Sequence, residues 1–343
     1  MANTTVPAEL INTATPLGRR NILINGDFGI YQRAQQVTDL AGSENYFTAD
    51  RWVLNGNLSS GRVTMTAGTE DAPAESNVTT SLKLDCTTAD TSLGVGEVLT
   101  LQQRVEGYNL QHVKKGTSGA KQLTASFWVK SETGTFTYVL ELYDQDNTRQ
   151  VSKSFSVTSS WSKVELTFPA DTTGAFGNDA NLSLYFQIFL ASGTTFTSGT
   201  LNETWNSITN ANRAAGVSNF FSSTSNELYI TAIQLEVGDA ATEFEILTYQ
   251  ERALLCYRYY YGMVNQTNVL YGTNYNGNTA SRGFVFYSLP VPMNHTPTST
   301  QTMGASSLSS TYHTFERLAW YTIPDNGDSS AGYVDYFTAE AEL

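Results

Sequence analysis

The residues best equipped for chemistry in this sequence are aromatic rings set among amides, hydroxyls and carboxylates. There are 5 Trp, 19 Tyr and 17 Phe. Flat apolar faces flanked by amide and carboxylate groups are what proteins use to hold sugars, because a ring stacks on the sugar face while polar neighbours bond its hydroxyls. Trp52, Trp128, Trp161, Trp205 and Trp320 offer such faces, and so does the tract Tyr271-Gly-Thr-Asn-Tyr-Asn-Gly-Asn278. The tract has the Tyr/Asn/Gly composition of an adaptable binding loop, and reads equally well as a hairpin tip. Trp128 stands out because it falls out of phase with the apolar face of its own segment. Most of the other tryptophans are expected to pack in the core or between subunits. The candidate ligand-binding residues are therefore Trp128, Tyr271, Asn274, Tyr275, Asn276 and Asn278.

Motifs for a reacting centre are missing. The dipeptide Gly-Lys never occurs, so there is no phosphate-binding Walker loop. Gly94-Val-Gly96 lacks the third glycine of a dinucleotide fingerprint, and neither HExxH nor GxSxG is present. His112, His295 and His313 are far apart and have no carboxylate or cysteine at ligand spacing. Asp144-Gln-Asp-Asn147 begins like a calcium loop. Thr148-Arg149 then replace the turn glycine, and Phe155 stands where a bidentate Glu is needed, so it reads as a hairpin turn. A glycosidase pair could hide among 32 Asp+Glu, but nothing singles one out. No catalytic residue is assigned, and the chain is expected not to be an enzyme.

The elements that would carry these residues are strands. From Asn21 onward, short alternating runs are separated by Gly, Asn, Asp and Ser. Strands are expected at Arg51–Leu54, Arg62–Thr66, Ser81–Cys86, Glu97–Gln103 and Leu123–Lys130, and again at Thr135–Tyr143, Val151–Val157, Lys163–Phe168, Leu182–Leu190 and Leu228–Val237. In Leu123–Lys130, Leu123, Ala125, Phe127 and Val129 share one face and Trp128 lies on the other. Thr135–Tyr143 and Val151–Val157 form a hairpin across 144–147. Ten antiparallel strands suit a jelly-roll sandwich. Thr248-Tyr-Gln-Glu251 is a capping box, opening a connecting helix over 248–262 that closes the sandwich and stops at Gly262. Residues 263–343 read as a small C-terminal β domain, with strand-like runs at Arg282–Tyr287, Leu289–Met293, Arg317–Ile323 and Gly332–Phe337. Residues 1–20 lack periodicity and read as an arm or attachment segment.

Composition sets further bounds. Lys+Arg total 19 against 32 Asp+Glu, a formal charge of −13, which argues against a nucleic-acid partner. Charged residues are 15 % of the chain, against roughly 25 % in an average soluble protein. No run approaches a membrane span. The N-terminus lacks the basic and apolar regions of a signal peptide, so synthesis in a reducing cytoplasm is expected. Cys86 and Cys256 are expected to be buried free thiols.

Six stretches stand out together and in order: Asn21-Ile-Leu-Ile-Asn-Gly-Asp-Phe28 with Tyr31-Gln-Arg33, Phe47-Thr-Ala-Asp-Arg-Trp52, Ser81-Leu-Lys-Leu84, Ser126-Phe-Trp-Val-Lys-Ser131, Thr231-Ala-Ile-Gln-Leu-Glu-Val-Gly238 with Ala241-Thr-Glu-Phe-Glu245, and Glu251–Tyr260. They resemble the motifs of a family of bacteriophage virion proteins, the tail-fibre and minor structural proteins built on a carbohydrate-binding-module-like jelly roll. The match runs along 21–260 and loosely to the end. Glu243 stands where the pattern usually has Pro, a change expected to be confined to an edge strand. The resemblance implies a virion component made in the host bacterial cytoplasm and assembled as a homo-oligomer, most simply a trimer. It would dock on other virion proteins through residues 1–20 and bind a host-surface glycan without cleaving it. The alternatives are a purely structural head-fibre, decoration or tail-assembly protein, and a polysaccharide depolymerase. No cofactor is expected. Jelly rolls of this kind often hold a structural calcium, whose oxygens the sequence does not assign.

Overall fold

The computed structural model describes residues 19–43, 45–263, 270–271, 273–275, 282–303, 306–324 and 333–343. The chain divides into two compact units, one ending at Ile246 and one beginning at Leu247. Both are β-rich. Among the described residues no helix is long and apolar enough to cross a membrane.

The first unit is an antiparallel jelly-roll sandwich of two six-stranded sheets. One sheet contains β1 (Gln36–Leu40), β3 (Arg62–Thr69), β4 (Ser81–Thr88), β12 (Glu227–Val237), β6 (Leu123–Ser131) and β9 (Ser162–Phe168), in that spatial order. The other contains β11 (Asn206–Ser207), β8 (Arg149–Val157), β7 (Phe136–Asp144), β10 (Leu182–Ser192), β5 (Val98–Glu106) and β2 (Trp52–Gly56). Every strand expected in this unit is present, with ends shifted by a few residues. Two strands carry no sequence signal: β1, which is largely exposed, and the two-residue β11.

Alternation produces the core. Leu123, Ala125, Phe127 and Val129 of β6 are buried between the sheets, with Leu82 and Leu84 of β4 and Leu140, Leu142, Phe186 and Ile188 of the facing sheet. In β12 the inward phase is even at Leu228 and Ile230 and odd at Ile233, Leu235 and Val237. A bulge between Thr231 and Gln234 makes the switch, with Ala232 in the left-handed region at φ 51°. The hairpin reading of 144–147 holds, since β7 and β8 pair from Phe136↔Val157 to Asp144↔Arg149. Cys86 and Cys256 are both buried and neither is in a disulfide.

The resemblance motifs form structural nodes. Asn25 donates from Nδ2 to the carbonyls of Ile30 (2.8 Å) and Asp50 (3.0 Å), and its own carbonyl accepts the indole N–H of Trp52 at 2.9 Å. Asp50 accepts the backbone N–H of Gln32 at 3.0 Å and lies 3.9 Å from Arg33. Glu236 accepts from Thr242, Gln234 accepts the N–H of Glu245, and the Glu245 carboxylate accepts the N–H groups of Arg20 and Asn21. These bonds tie the start of the unit to β12.

The second unit opens with helix α2 (Tyr249–Tyr257), which follows the short α1 (Thr194–Thr197) of the first. Both halves of the Thr248/Glu251 capping box are made. The helix is shorter than the expected 248–262. Tyr260–Met263 is a strand, β13, paired with β20 (Tyr333–Glu340), and Gly262 lies inside it rather than at a helix end. The Tyr-rich run after Tyr257 has strong strand preference, and the available ladder decides. β13 and β14 (Leu270–Tyr271) flank β20 with β17 (Thr298–Met303). A second sheet runs β15 (Thr273–Tyr275), β16 (Arg282–Ser288), β19 (Arg317–Pro324), β18 (Ser306–Thr314). The expected strand at Leu289–Met293 is irregular, because Pro290 and Pro292 have no N–H to give a ladder. Leu318, Trp320, Phe337 and Ala339 are among the buried residues of this unit's core.

Candidate functional site

Trp128 is the predicted site residue that the structure places at a cavity. It is half-buried on the outer face of β6, opposite Thr231 of β12 and Lys163 of β9. The cavity has a volume of about 180 Å3 and is lined by Glu75, Ser76, Ser126, Trp128, Lys163, Ala232, Glu243 and Phe244, with Phe127 beneath. Five separate parts of the chain build it, with Lys163 coming from β9 and Ala232 from β12. β6 supplies the ring by simple alternation. The turn after β3 supplies Glu75 and Ser76, and is fixed by the Ser76 hydroxyl donating to Pro73 O at 2.6 Å with Asn77 in the left-handed region. The segment after β12, held by the Glu236–Thr242 and Gln234–Glu245 bonds, supplies Glu243 and Phe244. The strained Ala232 of the bulge forms part of the wall. Glu243, the departure from the motif pattern, lies in the irregular segment after β12 and not in an edge strand, and is one of the residues lining the cavity.

The other tryptophans are committed elsewhere. Trp52 and Trp320 are buried. Trp205 donates to Pro169 O at 2.9 Å and has Lys115 over its ring at 5.1 Å. Trp161 donates to Asp71 at 3.2 Å, and Lys130 sits 5.5 Å over its ring and 4.5 Å over that of Tyr229. Lys83 lies over Tyr229 as well, at 5.6 Å. Burial raises the Asp71 pKa, but hydrogen bonds from Lys130 and Trp161 outweigh it and hold the carboxyl below its usual range. This cluster beside Trp128 is charge-paired and its rings are covered. Among the described residues Trp128 has no ring or cation partner, and its half-buried indole lines the cavity.

The outer face of the second sheet carries another aromatic row, but its faces are taken. Tyr143 and Tyr185, paired across β7 and β10, stack at 5.5 Å. Arg104 covers Tyr185 at 5.4 Å, and Arg213 covers Tyr143 at 5.4 Å.

The rest of the predicted set lies in the second unit. Tyr271 is in β14 and pairs with Tyr333, whereas Asn274 and Tyr275 are in β15 and pair with Gly283 and Arg282. They therefore fall in two different sheets. Asn276 and Asn278 lie outside the described residues. The structure does not gather this tract and Trp128 into one unit. A Ser–His contact occurs here too: Ser299 Oγ lies 2.5 Å from His313 Nε2. His313 Nδ1 accepts the Ala319 N–H at 3.4 Å, which puts the ring proton on Nε2. Ser299 Oγ donates to Gln301 at 3.2 Å. In that tautomer the imidazole donates to the serine and takes no proton from it.

Among the described residues no group of three or more Asp, Glu, His or Cys converges as metal ligands. Where carboxylates do converge, at Asp144 and Asp171, the Lys115 ammonium stands between them.

No family model and no curated protein matches this chain. Solved structures with partial likeness include the enzymatically active domain of bacteriophage CBA120 tailspike protein 4 (TM-score 0.32, 12 % identity, covering 64 % of this chain and 21 % of that one). Another is the carbohydrate-binding module TmCBM61 in complex with β-1,4-galactotriose (TM-score 0.32, 14 % identity, 64 % and 100 %). A third is the family 11 carbohydrate-binding module of a Clostridium thermocellum cellulase (TM-score 0.29, 11 % identity, 58 % and 94 %). The chain spans about a fifth of the tailspike. At these scores the functional reading rests on the chain's own geometry.

Proposed function

We propose that the first unit is a glycan-binding module that holds a neutral sugar on the Trp128 face without cleaving it, and that the chain is a phage virion component. The Trp128 ring, which lines a polar-walled cavity and has no other ring or cation packed on it among the described residues, is the observation that carries the binding reading. The ring supplies the stacking surface. Lys163 and Ser126 can donate to sugar hydroxyls, and Glu75, Glu243 and Ser126 can accept from them. Lys163 is 2.8 Å from Glu165, and the chain as a whole is acidic. The local field therefore favours uncharged glycans over uronates or sialosides. The virion assignment is supported by the ordered motifs along 21–260. It carries with it docking through residues 1–20, of which 1–18 lie outside the described residues, and an oligomer, most simply a homotrimer, in which a weak site would be strengthened by avidity.

The test is glycan-array binding by the wild type, Trp128→Ala and Trp161→Ala. Losing a stacking platform costs on the order of 1–3 kcal/mol. Trp128→Ala is therefore expected to weaken binding about fivefold or more, while Trp161→Ala, whose ring is already covered, changes it little. Equal binding by Trp128→Ala and the wild type would refute the site.

A further inference from the structure

Lys115 is set in an oxygen cage. It follows Lys114, which caps the turn Gly107–Val113 in the left-handed region, and its side chain is 2 % exposed. The ammonium lies 2.6 Å from Asp144 Oδ2, 3.0 Å from Asp171 Oδ2 and 2.9 Å from the carbonyl oxygens of both Thr173 and Gly174. The Trp205 and Phe176 rings stand 5.1 and 5.3 Å away. Both carboxylates are also braced. Arg149 donates to Asp171 from Nε (2.8 Å) and Nη2 (3.2 Å), and Asn147 donates to Asp144 from its backbone N–H and its amide. Two positive groups thus balance two negative ones in a buried site.

Two carboxylates and two peptide carbonyls, contributed by the end of β7 and by the 171–174 loop, are the donor types that hard cations take. An ammonium has three N–H donors, yet four oxygens surround it within hydrogen-bond distance. The cage is shaped for a cation as much as for hydrogen bonding. A calcium ion, which needs six to eight oxygens, does not fit beside the lysine, and the expectation of a structural calcium finds no donor set here.

We propose that Lys115 is the structural cation of this jelly roll: its tethered ammonium fills an oxygen cage that joins the β7–β8 hairpin to the 171–174 loop, the fold needs no metal there, and truncating Lys115 turns the cage into a binding site for small cations. A covalently attached cation cannot be washed out, and its local concentration at the cage is fixed by the chain.

The test uses the full chain and thermal unfolding. Wild-type Tm is expected to be unchanged by EDTA or by millimolar calcium. Lys115→Ala is expected to lower Tm, and calcium or methylammonium should then raise it in a concentration-dependent way, as a ligand that binds only the folded state does. Lys115→Met, which fills the space without charge, should lower Tm and gain nothing from either cation. Adding Asp144→Asn to Lys115→Met should recover part of the loss, because it removes an uncompensated buried charge. If Lys115→Ala does not fold alone, recovery of soluble protein on refolding with calcium or methylammonium supports the proposal, and failure in both overturns it. A wild type destabilised by EDTA, a Lys115→Met protein as stable as the wild type, or a double variant less stable than Lys115→Met would each overturn it.

Discussion

Replacing Arg213 by Met should be among the most damaging single changes on the surface of the first unit. The guanidinium grips Glu141 at two edges, with Nη2–Oε2 at 2.8 Å and Nε–Oε1 at 3.0 Å. Glu141 is 0 % exposed, and Gln187 is its other hydrogen-bond donor. At an effective dielectric of about 20, charges 2.8 Å apart attract by roughly 6 kcal/mol. Desolvation of both ions takes back much of that, but removing one partner leaves the other buried and uncompensated, at about 3–5 kcal/mol. Methionine keeps contact with the rings of Phe189 and Phe196 that the guanidinium now covers, so lost packing adds little. Glu141→Gln alone should cost less, about 1–2 kcal/mol, because the Arg213 side chain is 16 % exposed and can turn to water. The double variant Arg213→Met/Glu141→Gln should be more stable than Arg213→Met by about 2 kcal/mol, since neutral groups replace a broken pair. Urea unfolding followed by fluorescence reads this directly. With a slope of about 3 kcal/mol/M, the Arg213→Met midpoint falls by roughly 1–1.7 M. A shift under about 0.3 M, or a double variant worse than Arg213→Met, would refute the argument.

Three further outcomes follow from the geometry. A Cβ on Gly26 would collide with the Ile233 carbonyl, whose residue's N–H donates to Gly26 O at 2.9 Å. Gly26→Ala should therefore lower stability by about 1–3 kcal/mol, whereas Gly96→Ala, with nothing within 4 Å, should stay within about 0.5 kcal/mol. Burial, aided by the Asp85 charge, pushes the Cys86 thiol up to about 11, and Cys256 is buried too. Native protein should not react with a thiol reagent, and denatured protein should show both thiols; a non-reducing digest containing a Cys86–Cys256 peptide would contradict this. Burial raises the Asp171 pKa, but the Arg149 and Lys115 hydrogen bonds outweigh it and hold the group below its usual value. Its stabilisation is complete above the unfolded carboxyl pKa near ~3.9 and is lost as pH falls through the lower folded value. Asp171→Asn should be less stable than the wild type at pH 7 and show a shallower loss of Tm between about pH 5 and pH 2. Parallel acid profiles would count against the assignment.

Strand positions in the first unit were legible because one face of each strand must be apolar to fill the space between sheets, and a period of two is visible in sequence. The outward direction of Trp128 came from the same count. The capping box at Thr248 was legible because its bonds close within three residues. The end of that helix was not: Tyr260–Tyr261 could continue a helix or enter a ladder, and the choice fell to β20, whose partner residues Glu340 and Ala339 lie far along the chain. The phase switch in β12 was hidden as well, since nothing local marks Ala232 as the bulge.

By itself, then, the sequence determined ten strands of the first unit, the inward side of those without a bulge, that the chain is acidic and aromatic, and that Trp128 points away from the core. Only the tertiary structure decided what meets that ring, which tryptophans are already covered, and that Lys115 sits among four oxygens. The physical reason is that alternation is a local consequence of burying one face of a pleated strand. A cavity wall or an oxygen cage, by contrast, is made of side chains and backbone carbonyls from distant segments. Every residue carries such a carbonyl, so the sequence does not mark the few that will converge.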